Sequence, residues 1–241
     1  MVDPFREVRA FVTAALVTPV ARNRDETDAV RRRRRVIAGL TLVAGSCVLA
    51  AALRVPPGNA WFYLATVALA LVWSGGAVLS GPLHLGRAHT RAGTTPGRPV
   101  VQSLALGAGL LAVFLVGSVV VARVPVLRAP VDALLDHARV GSLPLVTAIT
   151  VVNGVAEELY FRGAAYAAVG RSHAVLWTTL GYTVVTAAAG IPLLVLAAAV
   201  VGVVTGLQRR VTGGVLGPIV THLTWSVGML FLLPEALDRF G

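Results

Sequence analysis

Two adjacent carboxylates and an arginine, in the run Glu157-Glu158-Leu-Tyr-Phe-Arg162, are set in an otherwise apolar stretch. On an α-helix Glu158 and Arg162 are four residues apart and share a face, so they can form an ion pair. Asn153 and Glu157 share another face, rotated ~100° from the first. A division of labour follows, in which Arg162 holds Glu158 ionised and oriented and Glu157 is left free to take a proton as a general base. His222 and Ser226 stand at the same four-residue spacing in a later apolar stretch. Counted inward from one edge, Glu157 and His222 lie at comparable depth, so the polar groups can converge on one cavity. The structural alternative is a salt bridge that locks helix packing, with His222 a hydrogen-bonded packing residue.

The elements that must position these groups are membrane spans. The chain of 241 residues is 56% hydrophobic and 13% charged, about half the charge of an ordinary soluble domain, and its mean hydropathy is +0.78. A span needs ~20 mostly apolar residues. Seven stretches qualify: Val36–Leu53, Trp61–Ser80, Val100–Ala122, Leu143–Val169, Ala174–Ala189, Ile191–Leu207 and Gly214–Leu233. The fifth and sixth are short and form either a tight hairpin or a re-entrant loop. Three ionisable residues in the fourth each cost about 2.5–3.5 kcal/mol to insert, more than a few Leu or Val residues return. Glu157, Glu158 and Arg162 must therefore face the bundle interior or a wet cavity.

All 21 basic residues are arginine, and the formal charge is +10. Their placement sets the topology. With the N-terminus cytoplasmic, the inner segments carry Arg6, Arg9, Arg22, Arg24, Arg31–Arg35, Arg87, Arg91, Arg98, Arg171, Arg209 and Arg210. The outer segments carry only Arg54, Arg123, Arg128, Arg139 and Arg239. The positive-inside rule selects N-in, C-out in the cell membrane. The run Arg31–Arg35 directly before a span is a topology anchor that attracts anionic lipid headgroups, and it argues against nucleic acid as the partner.

Phe5, Val8, Val12, Ala15 and Leu16 recur at helical spacing between Arg6, Arg9 and Thr13. This pattern predicts an amphipathic helix on the inner leaflet, with a frayed cytoplasmic tail as the alternative. Pro130–Arg139 is a possible second interfacial helix, with Asp132, Asp136 and Arg139 on its wet face. Cys47, in an apolar run, is expected to be a small buried hydrophobe. Gly202-x-x-x-Gly206 allows close helix packing. The fold expectation is all-α: a polytopic helical bundle of about seven spans. Residues 1–35 form the cytoplasmic helix and arginine anchor, and 36–241 the transmembrane domain.

Residues 143–233 resemble the CPBP family, the CAAX-protease and bacteriocin-processing membrane proteins. That family is marked by Glu-Glu-x-x-x-Arg, Phe-x-x-x-His and His-x-x-x-Asn, each on its own helix. Here Glu157-Glu158-Leu-Tyr-Phe-Arg162 is complete and His222-Leu-Thr-Trp-Ser226 ends in serine. The second motif departs: Tyr182-Thr-Val-Val-Thr186 has threonine where the family has histidine. The resemblance implies Glu157 as the base that activates water, Glu158 and Arg162 as its supporting pair, and His222 as a water or oxyanion ligand. Thr186 can donate a hydrogen bond but cannot carry a proton as imidazole does. Neither a metal nor another cofactor is expected.

The resulting expectation is a catalytically impaired relative, serving as a scaffold or accessory subunit of a larger membrane (transport) complex. Its partners would then be other membrane subunits and the bilayer. The alternative is an active intramembrane endopeptidase on a membrane-embedded or lipidated substrate. A secondary transporter using Glu157 and Arg162 as an ion relay is disfavoured, because inverted repeats are not visible.

Overall fold

The computed structural model describes residues 3–22, 26–56, 59–90, 96–140, 142–170 and 172–241. The arginines Arg24, Arg91 and Arg171 used for topology lie outside them.

Apolar composition with helix-compatible ends makes each element. Asp3 caps α1 (Pro4–Val12) by accepting from the Phe5 amide, and a π-helical turn, Thr13–Val17, continues it. Thr27 caps α2 (Asp28–Ala52) and Asn59 caps α3 (Ala60–Ser80), each through its side-chain oxygen. Then follow α4 (Val100–Arg123) and α5 (Pro125–Val140). The next rod begins as α6 (Leu143–Glu158), passes through a π-helical segment (Leu159–Ala165) and ends as α7 (Tyr166–Val169). The last three helices are α8 (Ala174–Ala187), α9 (Pro192–Thr212) and α10 (Leu216–Phe240). The only other regular pairing among the described residues is an isolated bridge, Ala88 to Gly97.

Among the described residues five helices, α2, α3, α4, α9 and α10, are long and apolar enough to cross a membrane. The other two expected spans differ. The fourth is the rod over 143–169, which is interrupted by the π segment. The fifth, α8, has 14 residues, about 21 Å at 1.5 Å per residue, short of a ~30 Å hydrocarbon core.

The helices pair α2 with α3, α4 with α10, and α8 with α9, and the rod begun by α6 lies against α3 and α10. The core centres on Trp73, 1% exposed, whose ring lies 4.5 Å from Tyr160 and 5.3 Å from Phe161. A polar clamp ties three helices together. Gln208 donates to Ser103 Oγ at 2.8 Å, and Thr221 donates to Gln208 Oε1 at 3.0 Å. Buried amides and hydroxyls paired in this way hold membrane helices together where apolar contact alone gives little preference over lipid.

Two expectations change here, for Arg34 and for Cys47. Arg34 is not a solvated anchor. It is buried, paired with Glu26 Oε1 at 2.6 Å and within 3.5 Å of Ser80 Oγ, because α2 begins before the arginine run and turns this one residue inward. Arg35 Nε donates to the Ala168 carbonyl at 3.1 Å. Cys47 is exposed rather than buried, on the outer face of α2. Asp132 and Asp136 of the α5 interfacial helix do pair with Arg139.

The turn between α9 and α10 lies back to back with the segment after α3. A Cβ on Gly214 would collide with the backbone of Leu85 and Gly86. Backbone cannot step aside as a flexible side chain can, so Gly214→Ala is expected to destabilise the fold by about 1–3 kcal/mol. A lowered melting midpoint in detergent would show it, whereas an unchanged midpoint would contradict this packing.

Candidate functional site

The site is built where α6 runs into the π segment and meets α8 and α10. Glu158 and Arg162 are both fully buried. Glu158 presents one oxygen to each of two partners: Oε2 lies 3.4 Å from Arg162 Nε, and Oε1 lies 2.8 Å from His222 Nδ1. An ionised carboxylate only accepts, so His222 donates its Nδ1–H here, leaving Nε2 as the free ring nitrogen. The Arg162 guanidinium also stacks over the Tyr182 ring, 4.9 Å from its centroid.

Glu157, half-buried, accepts a 2.8 Å hydrogen bond from the Tyr182 hydroxyl. The two adjacent carboxylates thus address different helices, Glu157 reaching α8 and Glu158 reaching α10, as their ~100° separation requires. The rings of Phe161, Tyr182, His222 and Trp225 follow one another at centroid distances of 4.9, 6.4 and 6.0 Å. They wall the carboxylates with aromatic surface.

Two bonds hold the rod in place. Tyr160 donates to the Ala38 carbonyl of α2 at 2.6 Å, and Arg209 Nε of α9 donates to the Arg162 carbonyl at 2.6 Å. The Arg209 guanidinium lies over the Tyr166 ring at 5.0 Å. Gly202 gives α9 its close approach, since a Cβ there would press on Thr179 and come within 3.4 Å of Arg162 Nη2.

The six residues singled out by sequence are placed as follows. Glu158, Arg162 and His222 form one connected group, and Glu157 stands beside it. His222 is bonded to Glu158 and not to Glu157, because the rotation of α10 and not depth alone chooses the partner. Asn153 does not reach Glu157 either. Its Nδ2 donates to the Ile149 carbonyl one turn back. Thr186 donates to the Tyr182 carbonyl at 2.9 Å, within its own helix. Ser226 Oγ, one turn beyond His222, has no hydrogen-bond partner among the described residues.

Among the described residues, Tyr182 is the one bonded to Glu157 that motif reading passes over. Its signal was present: where the family has phenylalanine, this chain has a phenol, which adds a donor one turn from the missing histidine.

Several buried polar atoms near the cluster have no hydrogen-bond partner among the described residues. They include Asn153 Oδ1, Thr179 Oγ1, Thr183 Oγ1, Trp225 Nε1 and the three Arg162 nitrogens. Buried polar atoms are rarely left unsatisfied, and ordered water is their usual partner where no protein group serves. The donor set suits acid–base chemistry: a carboxylate with a phenol, a carboxylate with an imidazole, and a fixed cation. Among the described residues no three His, Cys, Asp or Glu side chains are grouped to hold a metal ion.

Residues 139–228, which contain this whole cluster, match the family model described as type II CAAX prenyl endopeptidase Rce1-like. No curated protein and no solved structure matches the chain. The likeness to CAAX-protease-like membrane proteins thus extends over residues 139–228, 90 of the 241 in the chain.

Proposed function

We propose that this multi-pass protein is an intramembrane endopeptidase acting on a membrane-embedded or lipidated substrate. We further propose that it sits in the cell membrane with its N-terminus cytoplasmic. The observation that carries the catalytic reading is the 2.8 Å bond from Tyr182 to Glu157, which supplies from position 182 the side-chain donor that Thr186 does not.

The reaction follows from these groups. Glu157 takes a proton from water as the water oxygen adds to the scissile carbonyl carbon, and the carbonyl electron pair moves to oxygen. When the oxyanion collapses, the C–N bond breaks and the proton on Glu157 passes to the leaving nitrogen. Tyr182 holds Glu157 in position. Glu158 and Arg162 hold His222, and with the ring as imidazolium its Nε2–H, together with the Ser226 hydroxyl one turn away, is the donor available to the oxyanion.

Tyr182→Phe removes the hydroxyl and little else. A hydrogen bond to a charged group contributes about 1.5–3 kcal/mol, so cleavage of a lipidated peptide is expected to fall roughly 10- to 150-fold while the melting midpoint drops by about 3–12 °C. Unaltered turnover in this variant would remove Tyr182 from the machinery.

One observation favours a second reading, the silent scaffold or accessory subunit of a membrane complex. The Thr186 hydroxyl is returned to its own backbone and offers Glu157 nothing. In that case the protein co-purifies with a partner from mild detergent in fixed ratio, and substitutions at Tyr182 leave that ratio alone.

A further inference from the structure

No residue of α1 is buried. Phe5 is 85% exposed, Val8 62% and Val12 40%. At ~100° per residue these three occupy one arc of the helix, and Arg6, Arg9 and Thr13 occupy the adjoining arc. Glu7 falls between the two on the far side. The arginine arc is exposed and borders an open cleft. Arg6, Arg9, Ala10 and Thr13, with Thr18 and His89, line a cleft of about 460 Å³. His89 Nε2 is held near the Thr18 carbonyl at 3.1 Å. The Asp3 carboxylate accepts from the Phe5 amide at 3.0 Å.

The height of α1 along the bundle is set by α9. The Val20 amide donates to the Val211 carbonyl at 2.9 Å, and Arg22 Nη2 donates to the Arg210 carbonyl at 2.7 Å. In return, Arg210 Nη2 donates to the Leu16 carbonyl at 3.1 Å. These bonds strap the α1 segment to the C-terminal end of α9, one of the helices long enough to span.

We propose that α1 and His89 form a binding site for an anionic phospholipid of the adjoining leaflet. The headgroup phosphate lies in the cleft against Arg6 and Arg9, and the acyl chains cover Phe5, Val8 and Val12. Charge complementarity selects the headgroup, and the exposed apolar arc beside the cleft selects a lipid over a free anion. A soluble acidic partner would leave that arc uncovered. The site is separate from the carboxylate cluster and stands whether or not the protein cleaves peptides.

The test uses the full chain in nanodiscs, with Cys47→Ala and a nitroxide on Val8→Cys. Collision with oxygen against a water-soluble nickel chelate reports whether α1 is immersed. In phosphatidylglycerol discs the label is expected to be oxygen-accessible and nickel-protected, and in pure phosphatidylcholine to be less so. R6Q/R9Q in phosphatidylglycerol is expected to shift the immersed-to-released ratio about 30-fold toward release, from the attraction each basic residue gains near an anionic surface. Raising salt to about 1 M, where screening acts within ~3 Å, should release the unaltered helix in the same way, and this arm needs no cleft variant to fold. Equal immersion in both lipids, or indifference to both R6Q/R9Q and salt, overturns the proposal. So does inorganic phosphate that immerses the label in phosphatidylcholine discs, since the site would then need no lipid.

Discussion

Replacing Glu157 by glutamine is expected to lower peptide cleavage by about 10²–10⁴-fold, the usual contribution of a positioned general base. The variant tests chemistry with little change of shape. Glutamine keeps the length of glutamate and an oxygen that can still accept the Tyr182 hydroxyl. Glu157 is also only half-buried, in contrast to Glu158 beside it. The fold should therefore survive, with a melting midpoint close to that of the parent. Turnover measured on a lipidated or membrane-embedded peptide decides the matter. If E157Q cleaves as well as the parent, the peptidase reading fails. If neither cleaves and the cellular role of E157Q is intact, the scaffold reading gains.

The largest effect on stability is expected at Arg162. Its guanidinium is wholly buried, lies 3.4 Å from Glu158 and stacks on Tyr182. Arg162→Met leaves a side chain of comparable reach but strands the Glu158 carboxylate without its fixed cation. Removing one member of a buried pair costs about 3–5 kcal/mol, mostly because the other charge remains. Thermal unfolding in detergent should show a loss on that scale. Adding Glu158→Gln to Arg162→Met removes the stranded charge, and part of the loss should return. A coupling of about 0.5–3 kcal/mol is the expected signature of side chains in contact. If the two losses simply add, the pair is not coupled and the account of Glu158 given above is wrong.

That Glu157, Glu158 and Arg162 face inward was legible from sequence, because the insertion penalty forbids lipid exposure whatever the fold. The partners of these groups were not. Depth along a span can be counted from its edges, but the rotation of one helix against another is decided by packing across the whole bundle. Depth alone left His222 a ligand beside Glu157, yet the rotation of α10 gives His222 to Glu158. On α8, Thr186 and Tyr182 are one turn apart on the same face, and motif logic directed attention to the altered histidine position. The phenol reaches Glu157 because it is longer by a ring. The arginine run before α2 was legible as charge, but that Arg34 alone points inward depends on where the helix begins. The π segment left no sequence trace. Its bonding is fixed by neighbours such as Arg209, which are remote in the chain.

That segment lets one helix keep two phases. An α-helix of constant pitch would bind the angular positions of Glu157 and Glu158 to those of Tyr166 and Ala168, roughly two to three turns on. By drawing its hydrogen bonds one residue further along the chain, the stretch Leu159–Ala165 works like a vernier between two scales. One end is indexed to Tyr182 and His222, and the other to Arg209 and Arg35. Mutational drift that turns α2 or α9 at the membrane edge can be absorbed there, without re-aiming the carboxylates.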